Sequence, residues 1–148
     1  MVFLVTLAIF TFILNKTVFG REVYALGGNI EAARLAGLKV NRDLIIVYAI
    51  GAFTAAIGGI MTAARLASGT PQIGVGYELD AIAAVVIGGT SLVGGVGTMG
   101  GTVIGVLLIG VLNNLLSLLN MSSDVQQIFK GFIILGAVLL DAKSRKKS

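Results

Sequence analysis

The side chains able to do chemistry in this chain are few, and most of them interrupt apolar runs. Asn113 and Asn114 lie inside the apolar stretch 98–119, and Thr90 and Ser91 sit among Gly88, Gly89, Gly94, Gly95 and Gly97. Lys130 lies near the middle of the run 125–140, with Gln126 and Gln127 ahead of it. Arg65, Glu78 and Asp80 mark a polar segment, 65–80, that also holds Pro71, the one proline. Amides, hydroxyls and a lone ammonium offer hydrogen bonding and charge, not bond making. At mid-span they are costly unless paired. The chain has no histidine and no cysteine. Disulfides, thiol nucleophiles, Cys/His zinc sites and the commonest general base are thereby excluded. Asp and Glu stand only at the ends of the apolar runs, so an intramembrane enzyme is the poorest reading.

The composition says what must position these groups. Of 148 residues, 56% are hydrophobic and 12% charged, against about 25% charged in a soluble domain. The mean hydropathy is +0.98. A soluble globule of this size leaves about a third of its surface wet and could not hide so much apolar area. The composition implies an all-α integral membrane protein and rules out a disordered chain. The net charge of +4 is not a nucleic-acid signature, because the basic residues form two clusters beside apolar runs. Those clusters report topology.

The run 2–14 is short for a span of about 20 residues and has no basic stretch before it, so it reads as a membrane helix lacking its beginning rather than a signal peptide. Residues 15–43 are polar, with Lys16, Arg21, Arg34, Lys39 and Arg42. Residues 44–64 hold no charge over 21 positions and make a full span. Residues 81–87 are apolar but too short to cross, and they run into the glycines. The runs 98–119 and 125–140 follow, then a basic tail with Lys143, Arg145, Lys146 and Lys147. The excess of positive charge places 15–43 and 143–148 in the cytoplasm. From that loop to that tail the chain then makes four crossings, with its start outside. One crossing, 81–97, is broken and partly non-helical, which is tolerated only under a cover of protein or around a water-filled cavity. The glycine stretch is either a packing turn or a lining of that route. Asp80 is expected to cap the short helix at 81–87.

Gly97, Gly101 and Gly105 recur every four residues, as do Gly51, Ala55 and Gly59, and both sets read as small-residue faces for helix packing. Gln127 and Lys130 share a face. Asp124 and Asp141 are too far along to pair easily with Lys130, so no partner for it is read from this chain.

Within 15–43, Asn29 is a good N-cap, Glu31 falls in the first turn and Gly37 suits a left-handed stop. Between them lies a helix of about two turns, too short to stand alone in water. It either lies on the membrane surface or docks on a cytoplasmic partner.

The segment Gly27-Gly28-Asn29-Ile30-Glu31-Ala32-Ala33-Arg34-Leu35-Ala36-Gly37-Leu38 resembles the corresponding loop of inner-membrane permeases in bacterial sugar importers of the ATP-binding-cassette class, the ribose, xylose and galactose type. Further matches follow in order: the stretch from Tyr77 to Val86, then Gly88-Gly89-Thr90-Ser91-Leu92 with Gly94-Gly95, then Gly110-Val111-Leu112-Asn113-Asn114. Gln126-Gln127 before Lys130-Gly131 and Leu139-Leu140-Asp141 complete the set. Their order over residues 20–145 carries the resemblance. It implies a single transmembrane domain over 1–148 that matches the C-terminal half of the family, with a coupling helix in the loop 15–43. The expectation is therefore a fragment or a split or truncated product.

The resemblance further implies two permease copies on two ATPase subunits, an external binding protein, periplasmic or lipid-anchored, and a lipid environment in the bacterial inner membrane. ATP and magnesium would bind the partner, since no phosphate-binding glycine loop is present here. Asn29, Glu31, Ala32, Ala33, Arg34, Leu35 and Gly37 would form the ATPase-coupling element. Thr90, Ser91, Asn113 and Asn114 are candidates to line a sugar pathway, or else they satisfy backbone groups and neighbouring helices. Arg65 and Glu78 are candidates to meet the binding protein, or else sit in a solvated loop. The alternatives are a permease of the related branched-chain amino acid or nucleoside type, or a truncated non-transporting scaffold.

Overall fold

A computed structural model describes residues 1–69 and 74–145, and Pro71 and the tail residues 146–148 lie outside it. Side chains at 123, 124, 137 and 140–145, including those of Asp124 and Asp141, are also outside the description. The described residues form seven helices and no strand. They are α1 (Val2–Lys16), α2 (Val18–Gly28), α3 (Ile30–Leu35), α4 (Val40–Leu66), α5 (Tyr77–Ile87), α6 (Met99–Leu118) and α7 (Ser123–Arg145).

The apolar run at the start does not give way to a plain polar loop. Thr17 takes an extended conformation, and its hydroxyl accepts the Gly20 amide at 3.1 Å, so a second helix starts at once. The two helices meet at 75°. The elbow needs glycine at 20, since a Cβ there would collide with the Leu14 carbonyl.

Among the described residues, two helices, α4 and α6, are long and apolar enough to cross a membrane, and the bent pair α1–α2 makes a third if counted as one span. At 1.5 Å per residue α6 spans about 30 Å, the thickness of a hydrocarbon core, whereas α5 spans only about 16 Å. Within α7, Val125–Gly136 is the apolar stretch among the described residues. Between the described residues 74 and 98 lie a half-length helix and turns, as expected of the broken crossing at 81–97.

The interior is α5, held between α6 and α7. Ala83, Ala84 and Ile109 are buried together, with Ile87 and Ile134 packed against them. Backbones of α5 and α6 touch: a Cβ on Gly101 would strike the Gly88 carbonyl, and one on Gly105 the Ala84 carbonyl. Gly97 does not belong to this helix face. It precedes the Thr98 N-cap and faces Thr90. The other small-residue face differs too. Nothing lies within 4 Å of a Cβ on Gly51 or Gly59, and α4 stands away from α5, α6 and α7 over its apolar length. Regular spacing of small residues permits close approach; it does not supply the partner.

Candidate functional site

The helix α3 is fixed at both ends by its own sequence. The Asn29 carboxamide accepts the Ala32 amide at 3.0 Å. At the other end the Gly37 amide bonds the Arg34 carbonyl at 3.0 Å and the Leu38 amide bonds the Ala33 carbonyl at 3.1 Å. This is a Schellman stop, and it places Gly37 at φ +85°, where an L side chain is strained. Leu38 brings the apolar contact that such stops carry. It packs with Leu44 against the buried cluster of Leu26, Ala33 and Val40. Glu31, Ala32, Arg34 and Leu35 are exposed, with Leu35 at 89%. Ala33 lies on the opposite side of the turn and is spent on packing within the chain, so it is withdrawn from the surface that the sequence reading offered to a partner.

The second polar constellation lies between helices. The Lys130 ammonium stands 2.6 Å from Asp80 Oδ1. The Asn113 carboxamide donates to Asp80 Oδ2 at 3.0 Å. The contact at Oδ1 is a charge contact rather than an aligned hydrogen bond. One carboxylate on α5 thus collects a cation from α7 and an amide from α6. Lys130 is 8% exposed. Two expectations change here. Lys130 has a partner within this chain, and Asp80 is not a cap: the helix begins three residues earlier, with Gly76 as N-cap. A carboxylate in the first turn still suits the positive helix end, but its oxygens are turned to α6 and α7. Asn113 Oδ1 is buried without a hydrogen-bond partner among the described residues, because the carboxylate dictates that the NH₂ side faces it.

The remaining candidates are dispersed. Ser91 is buried in a turn, where its oxygen accepts the Val93 amide at 3.3 Å. Thr90 lies against Gly97. Asn114 is exposed on α6 in an apolar groove with Val111 and Leu118. Arg65 is exposed in the last turn of α4. Glu78 lines a cleft of about 570 Å³ between α4 and α5, which Ala55, Gly59 and Thr62 face from the α4 side. Ala55 and Gly59 border this cleft. Thr90, Ser91, Asn113 and Asn114 are not gathered around it.

Sequence reasoning missed the contact between α2 and the glycine turn. The Tyr24 hydroxyl donates to the Gly97 carbonyl at 2.8 Å. A Cβ on Gly27 would fall 2.6 Å from the Gly95 nitrogen. The paired glycines at 27–28 and 94–95 were a visible signal, since two backbones can touch only where both lack side chains. The same contact covers the non-helical stretch with protein and puts it at the end of the bundle that holds α3. At the other end Gly76 lies beside Gln127.

Comparison with known proteins gives a consistent picture. Residues 1–138 match the model of the family described as branched-chain amino acid transport system / permease component. The chain is 54% identical over 134 residues to the ribose import permease protein of Escherichia coli (strain K12), covering 90% of this chain and 42% of that protein. It is 54% identical over 136 residues to the ribose import permease protein of Bacillus subtilis (strain 168), covering 92% and 41%. It is 46% identical over 140 residues to the L-arabinose transport system permease protein of Escherichia coli (strain K12), covering 95% and 43%. The chain thus spans less than half the length of these relatives, which are permease components of transporters. No solved structure matches.

Proposed function

The chain belongs to the family of branched-chain amino acid transport system / permease components, and from that premise we propose that it forms part of the membrane-spanning permease of an ATP-driven importer for a monosaccharide. The supporting observation is the pairing of α3 with the sugar relatives. A six-residue helix, fixed at both ends, presents Glu31, Arg34 and Leu35 outward, and the relatives that share 46% to 54% of this sequence are named for ribose and arabinose. A largely exposed leucine on a rigid short helix, flanked by one charge of each sign, is suited to a groove on a soluble subunit. In this reading ATP is hydrolysed on that subunit, a second permease copy completes the pore, and a binding protein delivers the sugar near Arg65 and Glu78. The protein resides in the bacterial inner membrane with α3 on the cytoplasmic side.

The test is uptake by the assembly purified through a tag on this chain and placed in liposomes. Labelled ribose, arabinose and xylose are expected to enter in an ATP-dependent manner and leucine is not. Leucine uptake without sugar uptake would move the assignment to the amino-acid type that the family description also covers. On α3, the pair Arg34→Glu and Leu35→Asp is expected to weaken retention of the ATPase subunit by about tenfold or more, the scale of one interface hot spot. Unchanged co-purification would remove α3 from the interface.

A further inference from the structure

Asn29 is both the C-cap of α2 and the N-cap of α3, so the two helices share one residue and have no linker. Ala33 of α3 packs with Leu26 of α2 and Val40 of α4. These contacts make α3, α2 and the start of α4 one block. The face of α2 that carries Tyr24 and, one turn on, Gly27 and Gly28 rests on the turn 91–97. The Tyr24–Gly97 hydrogen bond, at 2.8 Å, sets the position across this contact. Along it the backbones meet directly: a Cβ on Gly27 would fall 2.6 Å from the Gly95 nitrogen, and one on Gly95 would fall 2.8 Å from the Gly28 Cα. Gly94 and Gly95 have φ of +101° and +77°. The turn is closed on itself by the Ser91 amide bonding the Val96 carbonyl at 2.9 Å and the Gly94 amide bonding the Ser91 carbonyl at 3.2 Å. It joins α5 to α6, the helices that carry Asp80 and Asn113.

We infer that α2 is a lever: a displacement of α3 reaches the turn 91–97 through the Tyr24–Gly97 hydrogen bond and the seat of Gly27 and Gly28 on Gly94 and Gly95. Tyr24 is a positioning residue in this arrangement. The inference rests on the proposed contact of α3 with an ATPase. Close-packed backbones transmit displacement because no side chain between them can rotate to absorb it. The hydroxyl adds a lateral constraint that packing alone lacks. Without it, the turn would follow α2 through the glycine seat alone.

The chain has no cysteine, so a nitroxide on Leu92→Cys, an exposed position in the turn, reports that turn alone. Tyr24→Phe is expected to raise the mobility of this label in the chain in nanodiscs, before any partner is added. In the liposome assembly the same substitution is expected to lower sugar uptake per ATP hydrolysed by about two- to tenfold, the range set by one hydrogen bond, while hydrolysis itself holds. Gly27→Ala, which lifts α2 off the turn, is expected to act in the same direction. Ala25→Ser, on an exposed position of α2, should change neither readout. An unmoved label overturns the seat. A moved label with uptake and hydrolysis falling together, or both unchanged, overturns the lever. Failure of Arg34→Glu and Leu35→Asp to release the ATPase would instead overturn the role of α3, and it would do so whatever the label shows.

Discussion

Lys130→Ala is expected to cost the helical core about 3–5 kcal/mol, the penalty for removing one partner of a buried ion pair. Three facts set this scale. The ammonium is 2.6 Å from the carboxylate. Lys130 is buried. The carboxylate has no other cation among the described residues. Alanine would strand Asp80 against Asn113 in apolar surroundings, where an uncompensated charge is most expensive. Unfolding by sodium dodecyl sulfate, followed by circular dichroism because the chain has no tryptophan, measures the loss. Wild-type stability for Lys130→Ala would show that the pair does not form.

The triple variant Asp80→Leu, Asn113→Leu, Lys130→Met separates a tether from a working site. Replacing a buried ion pair by apolar residues of similar volume is often neutral or stabilising by about 1–4 kcal/mol, and here it also removes the unpaired Asn113 Oδ1. Recovery of stability is therefore expected. If uptake recovers with it, the three side chains only hold α5, α6 and α7 together. If stability recovers and uptake does not, Asn113 keeps its place among the pathway candidates.

What the sequence disclosed and what it hid divide along physical range. The start and stop of α3 were legible because capping chemistry is local: Asn29 acts three residues ahead, and Gly37 closes the turn just behind it. The broken stretch after residue 87 was legible because glycines and a seven-residue apolar run cannot make a span. The partner of Lys130 was not, since Asp80 precedes it by fifty positions and meets it only when α5 and α7 pack side by side. Its signal was one charge of each sign in two neighbouring apolar elements, which names a pair only after the topology is known. The bend at Thr17 was hidden for another reason. Residues 15–28 look polar as a run, yet Val18–Gly28 form a helix, α2, that buries Gly20 and Leu26. The residues proposed for the pathway were assigned by residue type, and the fold gives Ser91 and Asn113 to neighbouring donors and acceptors instead of gathering them.

The two small-residue faces offer the second large effect, because they read alike and fold differently. Gly105→Leu puts a side chain where α5 already lies: its Cβ would collide with the Ala84 carbonyl and come within 3.1 Å of the Gly88 nitrogen. These are backbone atoms, so no rotamer change makes room and the helices themselves must part. Separation uncovers Ala83 and Ile109 and draws Asn113, two turns along α6, away from Asp80. The cost is expected at or above the upper end of the about 1–3 kcal/mol typical of overpacked cores. Gly110→Leu on the same helix places its Cβ where nothing lies within 4 Å. It should stay within about 1 kcal/mol of wild type and can gain from leucine's better helix propensity. Gly59→Leu on α4 likewise has open space at its Cβ. It should leave the core intact while narrowing the cleft that Gly59 shares with Glu78. Detergent unfolding of the three variants distinguishes them: equal losses at 105 and 110 would mean that α5 and α6 do not cross at Gly105, whereas a loss confined to 105 shows that close approach, not the spacing of glycines, is what the helix uses.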